Sequence, residues 1–182
     1  MEVALDRLIE RLKVLVVDDN HHMINIIKTI LRGFGVKEFF DACDANEAFN
    51  IVRGTPVDLI ITDYAMDAVN GCELTKLIRT ADDSPNHFVP IIMLTAYAER
   101  SKVEAARDAG VTEFCAKPVT AVELYRTVVS VINTPRSFVR THVYFGPDRR
   151  RRKDDNYRGE ERREHVFGPQ GAGLLKSVDP VA

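Results

Sequence analysis

The sequence predicts an α/β fold: a five-stranded parallel, doubly wound sheet with helices on both faces, followed by a tail that stays outside it. Three observations carry this. Apolar runs of strand length recur at 13–17, 57–62 and 89–94. They lack the in-out alternation of a half-exposed strand and suit strands buried on both faces. Helical spacing of apolar residues fills the gaps between them, and strands alternating with helices imply parallel pairing through right-handed crossovers.

The elements follow in order. Leu5, Leu8, Ile9 and Leu12 recur at helical spacing, so residues 1–11 form an amphipathic lead-in helix. Residues 13–17 are the first, central strand. Residues 20–34 form a helix with the stripe Met23, Ile26, Ile27, Ile30, Leu31 and Phe34, ended by Gly35. A second strand covers 36–42, and Asp44 caps a helix over 45–53 that closes at Gly54. The third strand, 57–62, passes through a loop at 63–70 into a helix over 71–80. Asp82-Asp83-Ser84-Pro85-Asn86 is a turn-forming loop. The fourth strand is 89–94, followed by a helix over 100–109 stopped at Gly110. A fifth strand covers 112–116. The last helix, 120–132, has Val122, Leu124, Val128, Val129 and Ile132 on its inner face. Five such units suit the flavodoxin-like strand order 2-1-3-4-5, which sets strands one and three side by side.

The folded unit therefore spans 12–133, and 134–182 is an Arg-rich flexible tail. Pro135, Pro147, Pro169 and Pro180 break its pattern, and its sparse apolar residues cannot offset ordering entropy. Charge divides the same way. Residues 134–182 hold 11 Lys and Arg against 7 Asp and Glu, a net of +4, whereas 1–133 hold 14 against 20, a net of −6. No apolar run approaches the roughly 20 residues that span a bilayer. Residues 1–11 carry acids and no signal-peptide core, so a cytoplasmic protein is expected. Cys43, Cys72 and Cys115 match neither a metal spacing nor a disulfide framework and read as reduced thiols.

Four of the five strands end on chemistry. Asp18 and Asp19 follow the first, Asp63 the third, Thr95 and Ala96 the fourth, Lys117 the fifth. Ligands of open α/β sheets bind outside the carboxyl ends of the strands, so these residues are expected at one edge. An Asp alone at a strand end is most often a cap or turn former; the ordered set points to one pocket. Carboxylates at 18, 19 and 63 suit Mg²⁺, a hard cation that prefers oxygen ligands. Asp63 could then attack an activated phosphorus. Lys117, the Thr95 hydroxyl and the Ala96 amide would stabilise the phosphoryl oxygens, the work that dominates such transfers.

As a set, Val16-Val17-Asp18-Asp19, Asp63 with Met66 and Gly71, Thr95-Ala96 and Lys117-Pro118 resemble the receiver domain of bacterial two-component response regulators, of the single-domain chemotaxis type. The resemblance implies a phosphoacceptor at Asp63 served by a sensor histidine kinase. It implies Mg²⁺ on Asp18, Asp19, Asp63 and the Ala65 carbonyl. It implies a Lys117 salt bridge to Asp63 and a cis Lys117–Pro118 bond. Thr95 and Phe114 would form the switch pair, and signalling would pass by partner binding rather than catalysis. The chain departs from the family pattern at Asp67, where proline often stands, and Phe114 lacks a tyrosine hydroxyl.

The tail has its own chemistry. Arg149, Arg150, Arg151 and Arg152, then Arg158, Arg162 and Arg163, lie among Tyr144, Phe145, Tyr157 and Phe167. Arginine grips phosphate and the guanine edge bidentately and stacks on flat rings. Tyr144-Phe145-Gly146-Pro147-Asp148 and the arginines resemble the extension of chemotaxis-like receivers that bind cyclic di-GMP and act on the flagellar motor switch. The alternatives are a solvated polyampholyte, given Asp154, Asp155, Glu160, Glu161 and Glu164, or a nucleic-acid-binding regulator, for which no reading motif is present. A Mg²⁺-dependent aspartyl phosphatase is the enzyme alternative. Such enzymes carry a second Asp two residues after the nucleophile, where this chain has Ala65.

Overall fold

The computed structural model describes residues 2–66, 69–96, 100–150 and 164–168. An N-terminal helix α1 (Glu2–Glu10) precedes five alternating units: β1 (Lys13–Val17), α2 (His21–Gly33), β2 (Glu38–Ala42), α3 (Ala45–Gly54), β3 (Leu59–Asp63), α4 (Gly71–Thr80), β4 (Ile91–Thr95), α5 (Arg100–Ala109), β5 (Glu113–Ala116) and α6 (Ala121–Asn133). All five strands pair in parallel in the order β2-β1-β3-β4-β5.

The sheet is buried on both faces because both residue parities of its strands are apolar. Val14, Val16, Ile61 and Leu94 pack with Ile24, Ile27 and Leu31 of α2 and Leu124 and Val128 of α6. Leu15, Val17 and Ile60 face the other way, onto Phe49 and Val52 of α3 and Leu74 and Ile78 of α4. The lead-in helix belongs to the first of these layers: Ile9 is 1% exposed and Leu12 is buried just beyond the helix. Each such side chain contributes about 1.5–3 kcal/mol by leaving water.

Local chemistry sets the boundaries. Asn20 caps α2, Asp44 caps α3 and Asn70 closes a capping box with Glu73 at α4, each satisfying amides that the first turn leaves unpaired. Two strands start later than their apolar runs. Val57 and Val89 are buried, yet the ladder begins at Leu59 and Ile91. Pro90 has no N–H, and it joins the ladder only by its carbonyl, which accepts from the Ile60 amide.

The segment after α6 contains structure that its sequence pattern did not reveal. β6 (Phe138–Thr141) and β7 (Tyr144–Pro147) form an antiparallel hairpin, and β8 (His165–Phe167) pairs on the other side of β6. Three or four residues per strand are too few for a legible period. Their burial comes from the receiving surface instead. Phe138, Phe145 and Phe167 surround Phe88, with ring centroids 5.1–5.4 Å away. Below them lies Arg79 of α4, only 2% exposed. Its guanidinium donates to the Gly110 carbonyl at 3.1 Å and the His87 carbonyl at 2.8 Å, and sits 5.0 Å from the Phe138 ring centroid. Burial pushes its pKa down to about 9, which leaves it charged at neutral pH.

Candidate functional site

The carboxyl edge of the parallel sheet gathers the strand-end residues as its topology requires. β1 and β3 are neighbours, with Val17 opposite Thr62, and β3 lies beside β4, with Asp63 opposite Leu94. Asp18 follows β1, Asp63 ends β3 and Lys117 follows β5.

Lys117 is the link. Its Nζ lies 2.9 Å from Asp63 Oδ1 and 3.3 Å from Asp18 Oδ2. Two buried carboxylates, 1% and 7% exposed at Asp18 and Asp63, thus share one ammonium. Backbone groups orient each acid: Asp18 Oδ1 accepts from the Asn20 amide at 2.9 Å and Asp63 Oδ1 from the Tyr64 amide at 2.8 Å. The Lys117 amide donates to the Thr95 carbonyl at 2.8 Å, which ties β4 to the base of the lysine loop, and the Lys117–Pro118 peptide is cis.

The loop after β3 returns tightly on Asp63. The Gly71 amide donates to the Tyr64 carbonyl at 3.1 Å, and any Cβ at Gly71 would overlap the Asp63 carbonyl oxygen. Glycine is required there because the backbone itself is the neighbour.

The charges are unbalanced. Burial raises the Asp63 pKa and the nearby Asp18 adds to it, against the opposing pull of Lys117 and the Tyr64 amide. For Lys117, burial by itself would lower the pKa, but Asp63 and Asp18 together outweigh it and raise it. The ammonium is therefore firmly held while one carboxylate charge stays uncompensated.

That residual charge fits a small hard cation. Among the described residues no three His, Cys, Asp or Glu side chains stand close enough to hold a metal between them. The convergent pair is Asp18 and Asp63, and the adjoining Asp19 is exposed. Two carboxylates suffice for Mg²⁺, which usually takes one or two and keeps several waters.

The other expected residues fall as follows. Thr95 is half-buried at the end of β4, and Ala96 and Ala65 are exposed. Met66 is buried in the core layer under α3 and α4. Phe114 is half-buried and packs with Tyr64 against the small cluster of Cys72, Met93, Ala106, Ala109 and Val111. Asp67 lies outside the described residues. The Asn20 and Tyr64 amides escaped sequence reading, since a backbone donor leaves no mark in residue type. In the tail, Arg149 pairs with Asp108 at 3.0 Å and lies 4.1 Å over the Tyr144 ring, and the Arg150 amide donates to Asp148 at 3.0 Å. Arg151, Arg152, Tyr157, Arg158, Arg162 and Arg163 lie outside the described residues.

Known proteins resemble this chain. Residues 14–129 match the response regulator receiver domain. The chain is 36% identical over 124 residues to the chemotaxis protein CheY-3 of Vibrio cholerae, covering 68% of this chain and 92% of that protein. The structure of CheY4 of Vibrio cholerae is similar with a TM-score of 0.61 and 30% identity, over 66% of this chain and 98% of that one. So is the receiver domain of the sensor histidine kinase PA1611 of Pseudomonas aeruginosa, described with a magnesium ion coordinated in its active-site cleft. It has a TM-score of 0.61 and 28% identity, over 68% of this chain and 98% of that one. By strand order, by the lysine that joins two buried aspartates and by these likenesses, the chain belongs to the response regulator receiver domain family.

Proposed function

We propose that Asp63 accepts a phosphoryl group from a sensor histidine kinase and that the phosphorylated chain signals by binding a protein partner. The observation that carries this is the Lys117 ammonium held between Asp63 and Asp18 at the carboxyl edge of the sheet. Lys117 and the Tyr64 amide both engage Oδ1 of Asp63, so Oδ2 is the oxygen presented for attack. Its bond to phosphorus forms as the donor's P–N bond breaks, and the imidazole leaves with the electron pair. Lys117 then follows the new negative charge onto the phosphoryl oxygens, joined by the Thr95 hydroxyl and the Ala96 amide. Asp18, Asp19, Asp63 and the Ala65 carbonyl would hold Mg²⁺, which supplies charge neutralisation for the transfer. Ala65 provides no second carboxylate for acid–base turnover, which favours a relay over a phosphatase.

Likeness to chemotaxis proteins makes a motility target, such as the flagellar motor switch, the output considered first. For the tail, the reading as a cyclic di-GMP sensor rests on sequence alone, on the Tyr144–Asp148 stretch and the arginines and aromatics around it. Arg149 already has an acid and a ring as partners within the chain.

Incubation with a small-molecule phosphodonor and Mg²⁺ tests the assignment. The wild-type chain should incorporate one phosphoryl group, and Asp63→Asn none. Undiminished labelling of Asp63→Asn would remove Asp63 from the role.

A further inference from the structure

Of the three cysteines, Cys72 and Cys115 are buried, and Cys43 is half-buried just beyond the carboxyl end of β2. Its sulfur lies 3.5 Å from each ring nitrogen of His21, the exposed first residue of α2. The two residues stand 22 apart in the chain, so no spacing motif announces them. The parallel pairing of β1 with β2 brings them together, since each lies past the end of one of these strands.

A thiol beside an imidazole is a soft donor pair, suited to Zn²⁺ rather than to Mg²⁺. The separation fits as well. Zn–S bonds of about 2.3 Å and Zn–N bonds of about 2.0–2.1 Å at a tetrahedral angle set sulfur and nitrogen roughly 3.5 Å apart. The exposed imidazole can turn one nitrogen toward the ion.

The surroundings favour a cation. Asp41 and Asp44 flank Cys43 in sequence, and Glu47 accepts from its amide at 2.8 Å. Each of these acids is already committed. Glu47 holds that amide, Asp41 pairs with Lys28 at 2.6 Å, and Asp44 caps the first amides of α3. They supply negative potential, not further ligands. Burial first, then Glu47, Asp41, Asp44 and Asp18, raise the Cys43 pKa and keep the thiol protonated until a cation displaces the proton.

We propose that Cys43 and His21 bind Zn²⁺ at the rim of the site formed by Asp18 and Asp63. The sulfur gives its proton to solvent as the S–Zn bond forms, and a neutral ring nitrogen donates its lone pair. Water fills the two remaining positions, so the ion exchanges, unlike a structural zinc held by four side chains. The Asn20 amide, one residue before His21, donates to Asp18 Oδ1 at 2.9 Å. The Ala42 carbonyl, one residue before Cys43, accepts from the Asp18 amide at 3.2 Å. The ion therefore joins the two segments that position Asp18. It does so whether or not Asp63 is the phosphoacceptor.

Co²⁺ binding to the full chain tests it, in a non-thiol reductant and with excess Mg²⁺ on the carboxylates. One equivalent should produce the near-ultraviolet thiolate-to-cobalt band, which oxygen ligands do not give. Excess Zn²⁺ should abolish that band. Cys43→Ser should lack it. His21→Ala should keep it with affinity lowered about tenfold or more, the least that disturbing even a ligand's support costs. No band in the wild-type chain would overturn the site. So would a band that survives in Cys43→Ser or in excess Zn²⁺, or equal affinity in His21→Ala. Thermal melts establish that both variants fold, and the wild-type spectrum decides the thiolate independently of them.

Discussion

At the scale of the residue, Asp63 shows a conflict between stability and function. Its carboxyl is buried beside Asp18, and the ammonium they share cannot neutralise both. Its pKa is raised from the ordinary 3.8, so the folded chain holds that proton more tightly than the unfolded chain does. The resulting stabilisation is present below pH 3.8 and lost as pH rises through the folded value. At neutral pH the ionised group weighs against the fold. Asp63→Asn should therefore raise Tm at pH 7 in the absence of Mg²⁺, at about 2–4 °C per kcal/mol for a chain of this size. The gain should shrink as pH falls toward 4, and Mg²⁺ should narrow it by stabilising only the wild type. Thermal melts across pH check this; a variant less stable than wild type at pH 7 would contradict it. Residue type sufficed to nominate Asp18, Asp63 and Lys117, because each stands at a strand end. It could not show that one lysine serves both acids, since 99 residues separate Asp18 from Lys117.

At the scale of the element, α4 depends on its first two positions. Asn70 accepts from the Cys72 amide at 2.9 Å and the Glu73 amide at 3.1 Å, and Glu73 returns to the Asn70 amide. Asn70→Ala should cost about 1 kcal/mol, as lost caps do. Gly71→Ala should cost more, because its methyl group meets the backbone of Asp63 rather than a side chain that can turn away. It should also slow phosphoryl incorporation by shifting the acceptor. Denaturant melts and a phosphodonor assay on both variants check this, and equal costs would show that the loop yields. Helices and central strands were legible from periodicity with small errors at their ends. The misplaced starts of β3 and β4 share one cause: Val57 and Val89 are buried without joining the ladder, and apolar pattern reports burial, not pairing.

At the scale of the whole molecule, the receiver has a second, smaller sheet fixed to the end of α4 and α5. Deleting 134–182 removes Phe138, Val139 and Phe145 from the interior and uncovers Arg79 and Phe88. Each lost side chain was worth about 1.5–3 kcal/mol before the ordering entropy of the segment is subtracted. The truncated chain should fold, keep phosphoryl incorporation, and melt several degrees lower. If the tail binds cyclic di-GMP, the heat of titration should vanish in the same truncation. An unchanged Tm would show that the sheet contributes no net stability. Among the described residues no helix is long and apolar enough to cross a membrane.

The order of apolar runs by itself determined the parallel sheet, its strand order and the edge at which Asp18, Asp63, Thr95 and Lys117 would meet. Those features follow from local spacing plus rules of chain connection that hold for any sequence of this type. Only the tertiary structure decided that Lys117 joins two acids, that Gly71 leaves room for a carbonyl, and that a short Phe-rich segment docks on Arg79. Each is a contact between residues far apart in the chain. Its energy depends on what the other side presents, and no local pattern records that.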